Sequence, residues 1–227
     1  MKQLSAFFLL VFVSFTFFSC GDPEEVMDTL SDSDLRDMIE ADLASIESIS
    51  EISVELAALP SEACNTLNDS SLSYTSPNGN LQLSSTWSWK ITCAGLLPQT
   101  FEASASGNSS YNSAKVTSTS TLSVDCTVDN IVSNDDYLFD GSINFDQDAS
   151  IIGRRANRAL ASQTNYDCNQ LTIDRDTYEI LSGTMSIDLA GSFNSGGTFS
   201  RGASLAFQGG GVATLTLDNG AVFTITF

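Results

Sequence analysis

The sequence predicts a mainly β protein: an antiparallel meander forming a curved sheet or barrel, preceded by one amphipathic helix. Three observations lead there. From Leu67 onward, apolar residues recur at every second position, the period of a strand with one buried and one wet face. Ahead of that region, a single segment shows apolar residues at steps of three and four, the period of a helix. Asn78-Gly79 and Asn219-Gly220 carry the tight-turn signal that joins neighbouring antiparallel strands. A two-sheet sandwich is the alternative arrangement of the same strands.

Residues 1–19 read as a secretory signal peptide. Lys2 supplies the positive start, and Ala6 to Phe18 are apolar apart from Ser14 and Thr16. These 13 residues fall short of the roughly 20 that a helix needs to cross a bilayer. Phe17-Phe18-Ser19-Cys20-Gly21 resembles the lipobox of bacterial lipoproteins, with Phe17 where leucine is commoner. The resemblance implies cleavage before Cys20 and lipid on that cysteine. The mature chain would then begin Cys-Gly-Asp-Pro-Glu-Glu, which resembles the acidic signal that Bacteroidetes use to send lipoproteins to the cell surface. It implies an outer-membrane lipoprotein, with surface display favoured over the periplasmic face and the lipid as its membrane contact.

Residues 20–32 read as a lipidated tether and 33–59 as the helix. Leu35, Met38, Ile39, Leu43, Ile46, Ile49, Ile52 and Leu56 form its stripe. Ser31 or Ser33 can cap it, Asp32, Asp34 and Asp37 suit the positive end of its dipole, and Pro60 stops it. Ile52, Val54 and Leu56 also alternate, which leaves a strand open for the last two turns.

Residues 60–227 read as the β domain. Leu81, Leu83, Trp87, Trp89, Ile91 and Cys93 share one face of a long strand. Val116, Leu122, Val124, Cys126 and Val128 do the same, with Thr and Ser between them. Further alternation runs through 142–146, 171–174, 184–189, 203–207, 212–218 and 221–227. Arg154 to Ala161 is the one later segment with any helical character.

An internal repeat organises this region. Gly79, Gly141 and Gly183 each stand fifteen residues after a cysteine (Cys64, Cys126, Cys168), and each is followed by alternating apolar residues. Cys93 heads a degenerate copy that ends at Gly107. Each unit would be a strand ending in Cys and a returning strand bent at Gly.

With Cys20 given to lipid, four cysteines remain in an exported chain, an even count that suits two disulfides. Neighbouring repeats suggest Cys64–Cys93 and Cys126–Cys168. A zinc site made from these four would lack any Cys-x-x-Cys knuckle.

The net charge is −19. Loss of residues 1–19 removes one lysine and no acid, leaving −20, and such a body repels nucleic acid. There is no histidine, which removes Ser-His-Asp and Cys-His catalysis and His-ligated zinc. No cofactor motif is present. Asp135, Asp136 and Asp140 are the candidates for a loop cation site. Trp87 and Trp89 would stack sugars if exposed, and Arg154, Arg155 and Arg158 would grip an anionic ligand. These residues point to a non-catalytic binding or structural role at the envelope, with a glycan or a protein as partner. The alternatives are a half-barrel carrier of an apolar ligand and a carboxylate-dependent glycoside hydrolase.

Overall fold

The computed structural model describes residues 29–58, 64–152 and 157–227. The expected signal peptide, Cys20, and Arg154 and Arg155 lie outside these residues.

Helix α1 spans Asp32–Ala57. Ser31 caps it in a reciprocal box: Asp34 N donates to Ser31 Oγ at 3.2 Å, and Ser31 N donates to Asp34 Oδ2 at 3.3 Å. The helix continues through Ile52, Val54 and Leu56, so the strand left open for its last turns is not formed. Packing already begins before the cap, because Leu30 is buried in the same core.

Ten strands follow: β1 Asn68–Thr75, β2 Leu81–Ala94, β3 Leu97–Asn112, β4 Val116–Asp129, β5 Tyr137–Ile152, β6 Asn157–Ile173, β7 Ile180–Phe193, β8 Thr198–Gly209, β9 Val212–Leu217 and β10 Val222–Thr226. They form one antiparallel sheet in strict sequence order, and β1 and β10 remain as its two edges. The meander is therefore an open curved sheet, neither a closed barrel nor a sandwich. The segment from residue 157, expected to have helical character, belongs to β6. Its alternation is diluted by small and polar residues, among them Ala161, Ser162 and Thr164.

Both turn signals hold. Gly79 has φ +73° between β1 and β2, and Gly220 has φ +85° between β9 and β10, the region glycine enters without a Cβ penalty. Gly107 and Gly141 do something different within strands. A Cβ on Gly107 would lie 2.2 Å from Ser84 O, and one on Gly141 would lie 2.4 Å from Asp125 O. At these points the neighbouring strand backbone occupies the space of a side chain.

The sheet divides into two faces. Trp87, Phe101, Val124, Phe139, Ile143 and Tyr166 lie on one face and are almost wholly buried with α1. The helix touches β2, β3, β4, β5 and, across the opening of the sheet, β10. The other face presents Ser, Thr, Asn, Gln and Asp.

Candidate functional site

Of the residues singled out for ligand contact, Trp87, Trp89 and Arg158 are described, and all three are engaged within the fold. Trp87 is 0% and Trp89 4% exposed. Both point into the apolar face, and Trp87 Nε1 donates to Ser85 Oγ at 2.9 Å. They are core, not a sugar platform. The strand parity that puts both rings on one side also puts them beside Ile91, on the side that α1 covers.

Arg158 does not offer its guanidinium to a ligand either. It donates to Asp34 Oδ2 at 2.7 Å and to Thr29 O at 2.8 Å. Arg201 bonds Asp32 at 3.0 Å, and Lys115 bonds Asp37 at 3.1 Å. Asn219 side-chain N–H groups reach both oxygens of Asp32. Bonds from Asn219 and then Arg201 hold the Asp32 carboxyl below its usual range. These acids at the helix start therefore fasten α1 to β6, to β8 and to the β3–β4 and β9–β10 turns.

Asp135, Asp136 and Asp140 do not assemble a cation site. Asp140 Oδ1 accepts from Gln170 N at 2.8 Å, and Asp135 and Asp136 sit in the β4–β5 connection. Among the described residues, no group of three or more His, Cys, Asp or Glu is placed to hold a metal.

Cys64 and Cys93 form the expected disulfide. Asn65 N adds a bond of 2.8 Å to Ile91 O, so the chain entering β1 is tied to β2. Cys126 and Cys168 are free, buried thiols, which corrects the second expected pairing. Each repeat unit is two strands long, so equivalent cysteines fall on alternate strands. Cys126 of β4 and Cys168 of β6 both pair with Gly141 of β5. Two interstrand steps amount to about 9.6 Å, beyond the roughly 7 Å Cα separation that a disulfide spans. Burial pushes each thiol up to about 12, so neither is a nucleophile at neutral pH.

The sequence reading missed a polar band inside the core. Ser109, Ser120, Gln147 and Ser162 are consecutive cross-strand partners on the covered face, and all are buried. Over this band sits Asp42 of α1, 6% exposed. Its Oδ2 accepts from Tyr166 Oη at 2.7 Å, and Gln147 also bonds it. Burial raises its pKa to about 7, against the smaller opposing effect of these two bonds. The signal lay in phase: Gln147 occupies the parity of Phe145 and Ala149, and Asp42 falls one turn from Met38 and Ile46.

Open space lies on the opposite, polar face. One groove of about 450 Å³ is lined by Thr121, Asn144, Asp146, Gln163 and Asp188 among others. A second, of about 730 Å³, includes Ser73, Gln82, Asn108, Thr119 and Asp148. Hydroxyl, amide and carboxylate groups dominate the exposed side chains there. Asp146 and Asp188 stand on β5 and β7, offset by two residues. Strand geometry puts their backbones about 12 Å apart, on the floor of the same groove.

No family model, no curated protein and no solved structure matches the chain. Among the described residues, no helix is long and apolar enough to cross a membrane.

Proposed function

We propose that the chain is a lipoprotein anchored through Cys20, displayed at the outer-membrane surface, with a non-catalytic binding or structural role. The observation that carries this reading is the division of the sheet. Its apolar face is occupied by the protein's own helix, while its polar face carries grooves lined by hydroxyls, amides and carboxylates. A surface of that kind meets ligands through hydrogen bonds, in water.

The carrier of an apolar ligand is the weaker reading. It requires α1 to leave its seat, where Leu35, Ile39, Leu43, Ile46 and Ile49 are each at most 1% exposed.

Protease shaving of intact producing cells tests the placement. Digestion of the β domain, with a periplasmic control spared, is expected. Protection until the outer membrane is opened would overturn surface display and place the domain on the periplasmic face.

A further inference from the structure

An open sheet leaves two edges, and one of them, β10, lies beside the narrow, partly exposed side of α1. Asp42 and Ser53 face the sheet, where they meet Tyr166 of β6 and Cys126 of β4. At 3.6 residues per turn, Glu40, Ala44, Glu47, Glu51 and Glu55 project from the opposite side of the helix. To one side of this strip, the Arg36 guanidinium lies over the Phe223 ring of β10, 5.8 Å from its centre. To the other, Asp37 pairs with Lys115 in the β3–β4 turn. The strip therefore runs beside the β10 edge.

Among the described residues, the backbone of β10 is half unpaired. Phe227 N donates to Gly211 O, and Leu217 N donates to Ala221 O. By strand alternation, the odd-numbered residues of β10 bond β9. The N–H and C=O groups of Val222, Thr224 and Thr226 then turn out into the opening. Val222 also leaves an apolar side chain 61% exposed on this edge.

Charge decides what fits there. Glu47, Glu51 and Glu55 repeat at helical neighbour spacing, and Glu179 adds to the field at Glu47. Partial burial, then the neighbouring carboxylates, hold Glu47 and Glu51 above their ordinary range. Six of the nine basic residues lie among those described. Lys90, Lys115, Arg158 and Arg201 are paired with other acids. Arg175 is spent on the carbonyls of Asn130 and Asp135 and on the Tyr137 ring. Arg36 pairs with Asp37 and reaches only Glu40 of the strip, at 3.6 Å.

We propose that the opening beside β10 docks an extended, lysine- or arginine-bearing segment of a partner protein. The segment adds to the sheet as a further strand and turns its basic side chains onto the glutamate strip. The spacings are close: alternate residues of a strand are about 6.8 Å apart, and glutamates four residues apart are separated by about 6 Å along the helix axis. Adding a strand to β10 continues the curl of the sheet over the exposed side of α1. A second copy of this chain is a poor occupant, since it brings a mature charge of −20 to an acidic strip. The preceding segment, residues 21–28, holds four acids and no base.

The proposal rests on reading the chain as a binding module, and it is separable from where the module is displayed. The test uses the full-length protein in detergent and a labelled ten-residue peptide alternating lysine with valine, with binding read by fluorescence anisotropy. Saturable binding is expected, with none for the matching glutamate–valine peptide and much weaker binding of decalysine. Replacing Glu47, Glu51 and Glu55 by Gln together is expected to weaken binding more than tenfold. Thr224→Pro, which removes an outward N–H and no bond to β9, is expected to do the same while leaving the unfolding transition in place. Equal binding of decalysine, or binding indifferent to Thr224→Pro, would overturn strand addition. A dimer of the free protein by light scattering would give the edge to a second copy and overturn the basic partner.

Discussion

Replacing Asp42 by Asn removes the one carboxyl of α1 that sits over the polar band of the core. In the folded chain this group has a pKa of about 7, raised from 3.8 by burial. Among the described residues nothing charged faces it: β5 and β6 meet it with Gln147 and with the Tyr166 hydroxyl. Tyr166 is itself raised by burial and by Asp42, so it stays a neutral donor. Between about pH 4 and 7 the folded state therefore holds a proton that the unfolded chain has released. Stability falls across that window as pH rises and is level above it, once both states are ionised. At about 1.4 kcal/mol for each tenfold change in proton affinity, the loss amounts to roughly 4 kcal/mol as an order of magnitude. Asn keeps an acceptor for Tyr166 and has no charge to bury, while Gln147 can rotate to accept from its amide. Urea unfolding of wild type and Asp42→Asn at half-unit steps from pH 4.5 to 8.5 isolates this group from the other acids. The variant is expected to gain on the wild type steadily up to about pH 7 and to be the more stable protein at pH 8. A difference that stays constant over that range would refute the reasoning.

Cys64→Ser opens a loop closed by residues 29 apart; a loss of about 3 to 4 kcal/mol is expected, read from denaturant midpoints. Peptide mapping after alkylation without reductant is expected to label Cys126 and Cys168 only once the chain is denatured, and recovery of a Cys126–Cys168 crosslink would contradict the strand spacing. Gly141→Ala drives a methyl to 2.4 Å from Asp125 O and 2.8 Å from Cys126 Cα, backbone atoms that cannot step aside. A loss of about 2 to 3 kcal/mol is expected, again from denaturant midpoints. Arg158→Ala cuts a partly exposed ion pair and is expected to lower stability by no more than about 1 kcal/mol. Amide exchange is expected to quicken near residues 30–36 while the strands stay protected.

Much of the fold was legible because each strand reports its faces directly. Trp87, Trp89 and Ile91 against Ser88 and Lys90 can satisfy only one pleat. The helix was equally plain from Leu35 to Leu56. β3 was faint because its inward residues include Ala103, Ala105 and Ser109, too small or too polar to stand out. Closure was not legible, since it depends on whether β1 meets β10, and no local period encodes that contact. The pairing of Cys126 failed for a related reason: adjacency of repeats was read as adjacency of strands. The basic residues were visible, but not their use. Arg158 serves Asp34, 124 residues earlier in the chain, a distance at which sequence reasoning has no purchase. The glutamate strip was not legible, because acids at helical spacing read equally as an ordinary solvated face.

Every strand in the sheet pairs with the one before it, so the ladder can lengthen behind a growing tip as the chain emerges. α1 breaks that order. It precedes every described strand, yet its seat is built by β2 to β6 and finished by β10, the last of the ten. Until residue 226 is free, the helix has a floor without its second wall. Its many acids keep that waiting segment soluble. Completion of the fold thus waits for β10, and a chain lacking the β9–β10 hairpin would keep the floor beneath its helix while losing the second wall.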